Sequence, residues 1–557
     1  MKSKLLPAVL CLLATACASA PRGAPQEAYD LLITNGWIID GTGSPWYRGD
    51  VGIVGDRIVA VGQLRGGRAR DSIDASGLIV SPGWIDMLGH SEYSLLSDGR
   101  ALSKITQGIT TEITGEVTSV VPVNERTLRE LGFARGTRVD WTDLDGYFAR
   151  LARERPAINL ATFVTVGSVR RYVMGDANRP ATTAELAQMR ELVAQAMQQG
   201  AVGLSTGMIY APATYASTDE IVELARVAAQ YGGGYASHIR SEGARLIEAI
   251  NEAITIGERA GTWVQVHHLK ASGKANWGKM PAAVAAIEAA RARGVDVSAD
   301  QYPYRASSTG LDAIIPTWAH AGGTDSLIAR LQDPEMRRKL AAEIMGPEQR
   351  DELIGESSGG PTGVMLAGFR TDSLRKYNGM LLSDVALQRT QPAIDAVFDL
   401  LIADSAATQA IYFSMSEEDI ELAMKQPWVS IGIDAGARDT ILTSHPHPRA
   451  FGSFPRILCH YVKARNVVTM PDAIRKFTAL PAARVGLADR GVIKTGMYAD
   501  LTIFDEATVC DRATFEKPVQ TSAGIRHVLV NGVPVVRNGA VTGARPGSGL
   551  RRSGARR

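Results

Sequence analysis

A small set of histidines and acids is placed where chemistry is usually done. His90 follows the run Leu78–Asp86, His238 follows Gly234–Ser237, and His267 and His268 follow Trp263–Val266. Glu116 comes after Gly108–Gly115, and Asp434 directly after Val429–Ile433. A single histidine at a strand end is usually satisfied by one hydrogen bond, and a single acid after a β-branched run can cap the next helix. Several such residues at independent strand ends have a different meaning. A divalent cation needs imidazole and carboxylate ligands from separate elements, and a further carboxylate beside it can act as a general base. The pattern predicts metal-assisted attack of water on a polarised bond.

Elements that could bring these residues together are visible in the middle of the chain. Strand-like runs at Ile158–Val166, Val202–Thr206, Gly234–Ser237, Trp263–Val266 and Val295–Ala299 alternate with amphipathic stretches at Thr183–Gln199, Asp219–Tyr231, Ala244–Ala260 and Pro281–Arg293. Thr182 with Glu185 is a capping-box signature. This alternation predicts an α/β fold, a (β/α)8 TIM-like barrel whose strand ends converge at one mouth. Short β runs joined by Asn-Gly and similar turns fill both chain ends and predict a small β-sandwich domain built from the two. The expected organisation is a leader over residues 1–20, sandwich parts at 21–80 and 486–545, a barrel at 81–485 with an insertion late in it at about 310–425, and a basic tail at 546–557.

Longer motifs add a resemblance. Asp40-Gly41-Thr42-Gly43, Pro82-Gly83-Trp84-Ile85-Asp86, Gly203–Gly207, His238-Ile239-Arg240-Ser241-Glu242-Gly243, Val266–Lys270, Asp300–Tyr304, Ile411–Asp419 and His447–Arg456 occur in order along the mature chain. The series resembles the N-acyl-D-amino-acid deacylase (D-aminoacylase) family of the metal-dependent amidohydrolase superfamily. That resemblance implies hydrolysis of a linear amide to a carboxylate and a D-amino acid, with a divalent metal, zinc, as cofactor and an N-acylated amino acid or related amide as partner. The family's two tight-site imidazoles fall on His238 and His268, with His267 the weaker of the adjacent pair, and its catalytic Asp falls on Asp434. Lys270, Tyr302, Tyr304 and Arg449 fall in segments the family uses around the substrate carboxylate and scissile amide; a guanidinium can grip a carboxylate bidentately. Two positions depart from the pattern. The first imidazole of the superfamily's His-x-His is Leu88, and the family's metal-binding Cys is Val117. Glu116 is expected to supply an oxygen instead, giving one tight ion on Glu116, His238 and His268 and a weaker second position on His90 and Asp434.

Composition sets the remaining bounds. With 60 Lys+Arg against 58 Asp+Glu over 557 residues, bulk charge does not suit nucleic-acid binding. Lys2 and Lys4, then Leu5–Leu13 and the small residues to Ala20, read as a signal peptide too short to span a bilayer. Ala18-Ser19-Ala20 offers a simple cleavage site, and Ala14-Thr15-Ala16-Cys17 offers a lipobox that would anchor Cys17 to a membrane, so the expected location is the bacterial periplasm, soluble or lipid-anchored. Cys459 and Cys510 are read as two separate buried thiols. Arg551, Arg552, Arg556 and Arg557 are read as a solvated, disordered end. The rival functions are a dipeptidase or cyclic-amide hydrolase on the same fold, and a binding relative that has lost the metal.

Overall fold

The computed structural model describes residues 28–552 apart from 65, 131–136, 347–357 and 442–443; the leader and Arg556 and Arg557 lie outside the described residues. Eight parallel strands form the barrel: Trp84–Asp86, Ile109–Thr114, a third over Asn159–Thr162 and Val164–Thr165, then Gly203–Gly207, Gly234–His238, Val264–Val266, Val297–Gln301 and Val429–Ile431. The third strand changes partner at Phe163: Thr162 pairs with Thr114, and Val164 with Leu204. The ring closes between the eighth strand and the first, where Met87 N donates to Ile431 O at 3.0 Å and Asp434 N to Leu88 O at 2.7 Å.

Alternation along each strand sorts the side chains. Ile85, Met87, Ile113, Ala161, Phe163 and Ala236 share one cluster inside the barrel, whereas Trp84, Val264, Val266 and Ala299 join the large core under the helices. The helices follow the expected periodicity at Thr183–Gln198, Thr218–Gln230, Leu246–Ala260 and Met280–Ala292. Thr182 and Glu185 form the reciprocal capping box, Glu185 N donating to Thr182 Oγ1 at 3.2 Å and Thr182 N to Glu185 Oε2 at 2.8 Å.

The two chain ends meet in one nine-stranded sheet, with Ile79–Pro82 paired antiparallel to Leu501–Phe504. Strand Ala28–Ile38 pairs with Arg68–Asp74 along its first part and with Ile79–Pro82 at its end. This sheet has its own apolar cluster, including Ile33, Ile53, Ile73, Leu501 and Leu529. Between the seventh and eighth barrel strands, Ser307–Gly310, Gln409–Tyr412 and Val364–Gly368 form a small antiparallel sheet. With its helices it makes a lobe around Leu311, Leu327, Phe398 and Leu400.

Two sequence expectations fail here. Cys459 and Cys510 form a disulfide instead of two separate thiols. It joins the helical segment Ile457–Ala464 to the loop after strand Leu501–Phe504, a contact between distant segments that spacing does not reveal. The start of the basic tail is ordered. Leu160 N donates to Ser548 O and Leu550 N to Leu160 O, and Leu550 is buried in the inner barrel cluster, a burial worth roughly 1.5–3 kcal/mol. Arg551 pairs with Asp145 and lies over the Phe148 ring, while Arg552 Nη1 donates to Tyr231 O at 2.9 Å. The tail therefore covers the start of the third strand, at the barrel end opposite the histidines. Among the described residues, no helix is long and apolar enough to cross a membrane.

Candidate active site and metal centre

The C-terminal ends of the strands bring the expected residues together. His238 is the last residue of the fifth strand, His268 lies just past the sixth, Glu116 past the second, and His90 and Asp434 past the first and eighth. Glu116 is the hub. Its Oε1 lies 3.0 Å from His238 Nδ1 and 2.8 Å from His268 Nε2, and its Oε2 lies 3.2 Å from His90 Nε2. His90 Nε2 is also 3.0 Å from Asp434 Oδ1. His268 and Asp434 both have left-handed backbone, with φ of 36° and 53°. Strained backbone of this kind collects at functional sites.

The departures at Leu88 and Val117 have visible counterparts. Leu88 is buried and packs against Gly432, where an added Cβ would come within 2.7 Å of the Leu88 Cβ, so no ligand stands there. Val117 lies against Gly207 at the end of the fourth strand, leaving the neighbouring carboxylate of Glu116 as the group at the centre. Gly89 is required by close approach: a Cβ there would sit 1.8 Å from Glu112 Oε1. That oxygen also accepts from Ser91 N at 3.1 Å and so supports the loop that carries His90.

His267 and His268 are adjacent and diverge. His267 turns into the barrel, with Nδ1 2.8 Å from Asp300 Oδ2, an oxygen that also accepts from Gln265 Nε2. Asp300 Oδ1 accepts from His268 N at 2.8 Å, so one carboxylate fixes both residues. Behind His268, Glu242 Oε1 lies 2.9 Å from Nδ1 and 2.5 Å from Lys270 Nζ. The sequence does not mark a role for Glu242, although its place in His238-Ile239-Arg240-Ser241-Glu242 puts it near the ligand histidine. Nor does it mark Tyr210, whose ring stands 5.3 Å from that of His238 and whose hydroxyl meets Thr309 Oγ1 of the inserted lobe at 2.8 Å.

A second cation faces Asp434. Arg449 Nη1 lies 2.8 Å from Asp434 Oδ2 as an ion pair, out of line for a directed hydrogen bond, and Nη2 donates to Ser308 O at 3.0 Å. Its Nε is buried without a hydrogen-bond partner among the described residues. The guanidinium lies 4.7 Å over the Tyr302 ring, and the buried Tyr302 hydroxyl likewise has no partner. Tyr304 does not join them, which corrects its placement from the sequence. Its ring packs edge-on against His447 and under Arg456, and its hydroxyl points toward Pro448 O at 3.5 Å.

Charge is tightly organised around these groups. Burial opposes ionisation of Glu116, but the charge of His268 and the bonds from three imidazoles outweigh it and hold the carboxyl well below the usual range. Burial opposes Asp434 too, yet Arg449 and then His90 bring it down to about 2. Burial likewise works against the Glu242 carboxylate, and Lys270 with the two imidazoles keeps it ionised far into acid. Ligand atoms of Glu116, His238 and His268 lie within 4.8 Å of one another, as do those of His90, Glu116 and Asp434. Two imidazole nitrogens and a carboxylate oxygen, all buried and converging, fit a divalent cation, and the shared carboxylate gives each of its oxygens to a different group.

The same architecture is found in known proteins. Residues 71–536 match the amidohydrolase family. The chain is 36% identical over 530 residues to an N-acyl-D-glutamate deacylase of Alcaligenes xylosoxydans xylosoxydans, covering 95% of this chain and 97% of that one. It is also 36% identical to a D-aminoacylase of the same organism, covering 95% of this chain and 99% of the relative. The crystal structure of N-acyl-D-glutamate deacylase from Bordetella bronchiseptica, complexed with zinc and a phosphonate inhibitor that mimics the tetrahedral intermediate, superposes with a TM-score of 0.80 at 35% identity, over 94% of this chain and 100% of that one. The chain thus belongs to the amidohydrolase family, in its N-acyl-D-amino-acid deacylase branch.

Proposed function

We propose that this protein hydrolyses N-acyl-D-amino acids to a carboxylate and the free D-amino acid, with zinc held by Glu116, His238 and His268. The observation that carries the reading is the pairing of that ligand set with Arg449, whose buried Nε has no hydrogen-bond partner among the described residues and whose Nη1 faces Asp434. The named relatives supply the substrate class and the metal. An ion held by these residues would polarise the scissile carbonyl and lower the pKa of a water toward about 7.

The protein's own groups do the rest. Arg449 offers its buried Nε–H and its charge to the substrate α-carboxylate, with Lys270 as the second cation nearby. That carboxylate competes with Asp434 for the guanidinium, and an Asp434 released from Arg449 regains basicity. Asp434 then takes the proton of the attacking water and passes it to the departing amine nitrogen. The Tyr302 hydroxyl is placed to donate to the oxygen on which negative charge develops. The bond broken is the acyl carbon to nitrogen bond, and the bond formed joins that carbon to the water oxygen. A cyclic imide has no free α-carboxylate for Arg449, which favours the linear amide over that rival.

We also place the protein outside the cytoplasm, by signal-peptide cleavage after Ala20 or lipidation at Cys17. The Cys459–Cys510 disulfide supports this, since such bonds persist in oxidising compartments. The test of function is a panel of N-acetyl-D- and N-acetyl-L-amino acids with zinc-loaded enzyme. Turnover of D substrates that chelation abolishes is expected; turnover of L substrates or cyclic imides alone overturns the reading. Mass spectrometry of the native N-terminus tests export, and an intact Met1 contradicts it.

A further inference from the structure

The far nitrogens of the two central imidazoles raise a question that the ligand set does not answer. His238 turns Nδ1 to Glu116 and His268 turns Nε2 to it, so the outward nitrogens are His238 Nε2 and His268 Nδ1. Both look toward one oxygen. Glu242 Oε1 is 2.9 Å from His268 Nδ1 and 3.9 Å from His238 Nε2, and it also holds Lys270 Nζ at 2.5 Å. Lys270 Nζ in turn lies 2.7 Å from His268 Nδ1. His238 Nε2 is buried with no hydrogen-bond partner among the described residues, and Glu242 Oε1 is a carboxylate oxygen 3.9 Å from it. The carboxylate is buried and fixed from its own backbone, Glu242 O accepting from Ser272 N at 2.7 Å.

We propose that Glu242 is a positioning residue that serves both halves of the site: it fixes the proton on the outward nitrogen of His268, supports His238, and holds Lys270 where the substrate carboxylate arrives. The inference rests on the proposed ligand roles of His238 and His268. An imidazole can give a lone pair to a cation through Nε2 only if Nδ1 carries the hydrogen, and a ligand histidine is normally held in that tautomer by a carboxylate. In the arrangement seen here, Lys270 and Glu242 both approach Nδ1. Lys270 has only hydrogens to give, so a protonated Nδ1 can bond Glu242 and cannot accept from Lys270. Loading the Nε2 side therefore commits Nδ1–H to Glu242 and leaves Lys270 with Glu242 Oε1, His268 O and the incoming anion. Glu242 thereby links metal retention to substrate binding.

The test compares wild type, Glu242→Gln and Glu242→Asp as full-length enzyme. Zinc affinity is read by competition with a chromophoric chelator, which requires no substrate. Glu242→Gln should weaken zinc binding about 10–100-fold, the usual effect of losing an outer carboxylate, and Glu242→Asp should recover part of it. At saturating zinc, KM for an N-acetyl-D-amino acid should rise more in Glu242→Gln than kcat falls. Zinc affinity within about twofold of wild type in Glu242→Gln overturns the proposal, since the expected loss is at least tenfold. If Glu242→Gln does not fold, Lys270→Met decides: zinc affinity should hold because the His268–Glu242 pair is intact, and a loss as large as tenfold would show that Lys270, not Glu242, orients the histidine. A wild type that binds zinc but turns over no N-acyl-D-amino acid would fail the proposed function while leaving the affinity comparison valid.

Discussion

The two corners of the site share one carboxylate and are otherwise built differently. The corner of Glu116 Oε1, His238 and His268 is closed: those side chains are 4%, 6% and 3% exposed, and Glu242, Lys270 and Asp300 stand behind them. The corner of Glu116 Oε2, His90 and Asp434 is open, with the His90 side chain 32% exposed and Asp434 tethered to Arg449. Buried ligands backed by further hydrogen bonds lose little freedom on binding a cation, while a half-exposed imidazole competes with water for the same role. The closed corner is suited to retention, and the open corner to exchange and proton movement.

The largest effect should come from breaking the closed corner. His238→Ala or His268→Ala should remove most bound metal and lower turnover about 10³-fold or more, the equivalent of several kcal/mol of transition-state stabilisation. Elemental analysis alongside kinetics checks this. In the open corner, Asp434→Asn keeps the size and removes the base, so kcat should fall about 10²–10⁴-fold while metal at the closed corner stays. Parallel loss of metal and rate would make Asp434 a ligand first.

These contrasts also show which parts of the site could be read from the sequence. Strand ends are marked by the hydrophobic pattern, so the sequence places His90, Glu116, His238, His268 and Asp434 at one mouth. His267 and His268 lie past the sixth strand, and the Asp300 carboxylate, bonded to His267 Nδ1 and His268 N, sets which of the two faces Glu116. Tyr302 and Tyr304 lie beyond a strand, where alternation no longer fixes direction and Pro303 intervenes, so the sequence does not show which of the two faces Arg449. The Cys459–Cys510 bond and the docking of Leu550 and Arg551 depend on contacts between segments far apart in the chain. Glu242 was legible in spacing but not in role, because its partners on His268 and Lys270 belong to the next strand.

A smaller effect separates binding from chemistry in the open corner. Arg449→Leu removes charged hydrogen bonds worth about 1.5–3 kcal/mol, so KM for an N-acyl-D-amino acid should rise about 10–100-fold, more than kcat falls. Steady-state kinetics at saturating zinc reads the split.

The smallest effect lies outside both corners and serves as their control. Burial, then Arg537 and Arg526, lowers His527 in the terminal sheet from 6.5 to about 4. Between those pH values the unfolded chain takes up a proton that the folded chain refuses, so stability is complete above pH 6.5 and falls toward pH 4, by on the order of 1–3 kcal/mol. Denaturant titrations of His527→Gln should show a flatter acid slope than wild type, with metal content unchanged.

Glu116 is proposed to stand in for the family's metal-binding Cys, replaced here by Val117, and to join the two corners. The most direct test of this claim is metal content per chain after zinc loading and desalting, for wild type and Glu116→Ala. Wild type should keep at least about one ion and Glu116→Ala almost none, since two imidazoles alone fall short of the ligand count that holds zinc. A Glu116→Ala protein that retains as much zinc as wild type would contradict the claim.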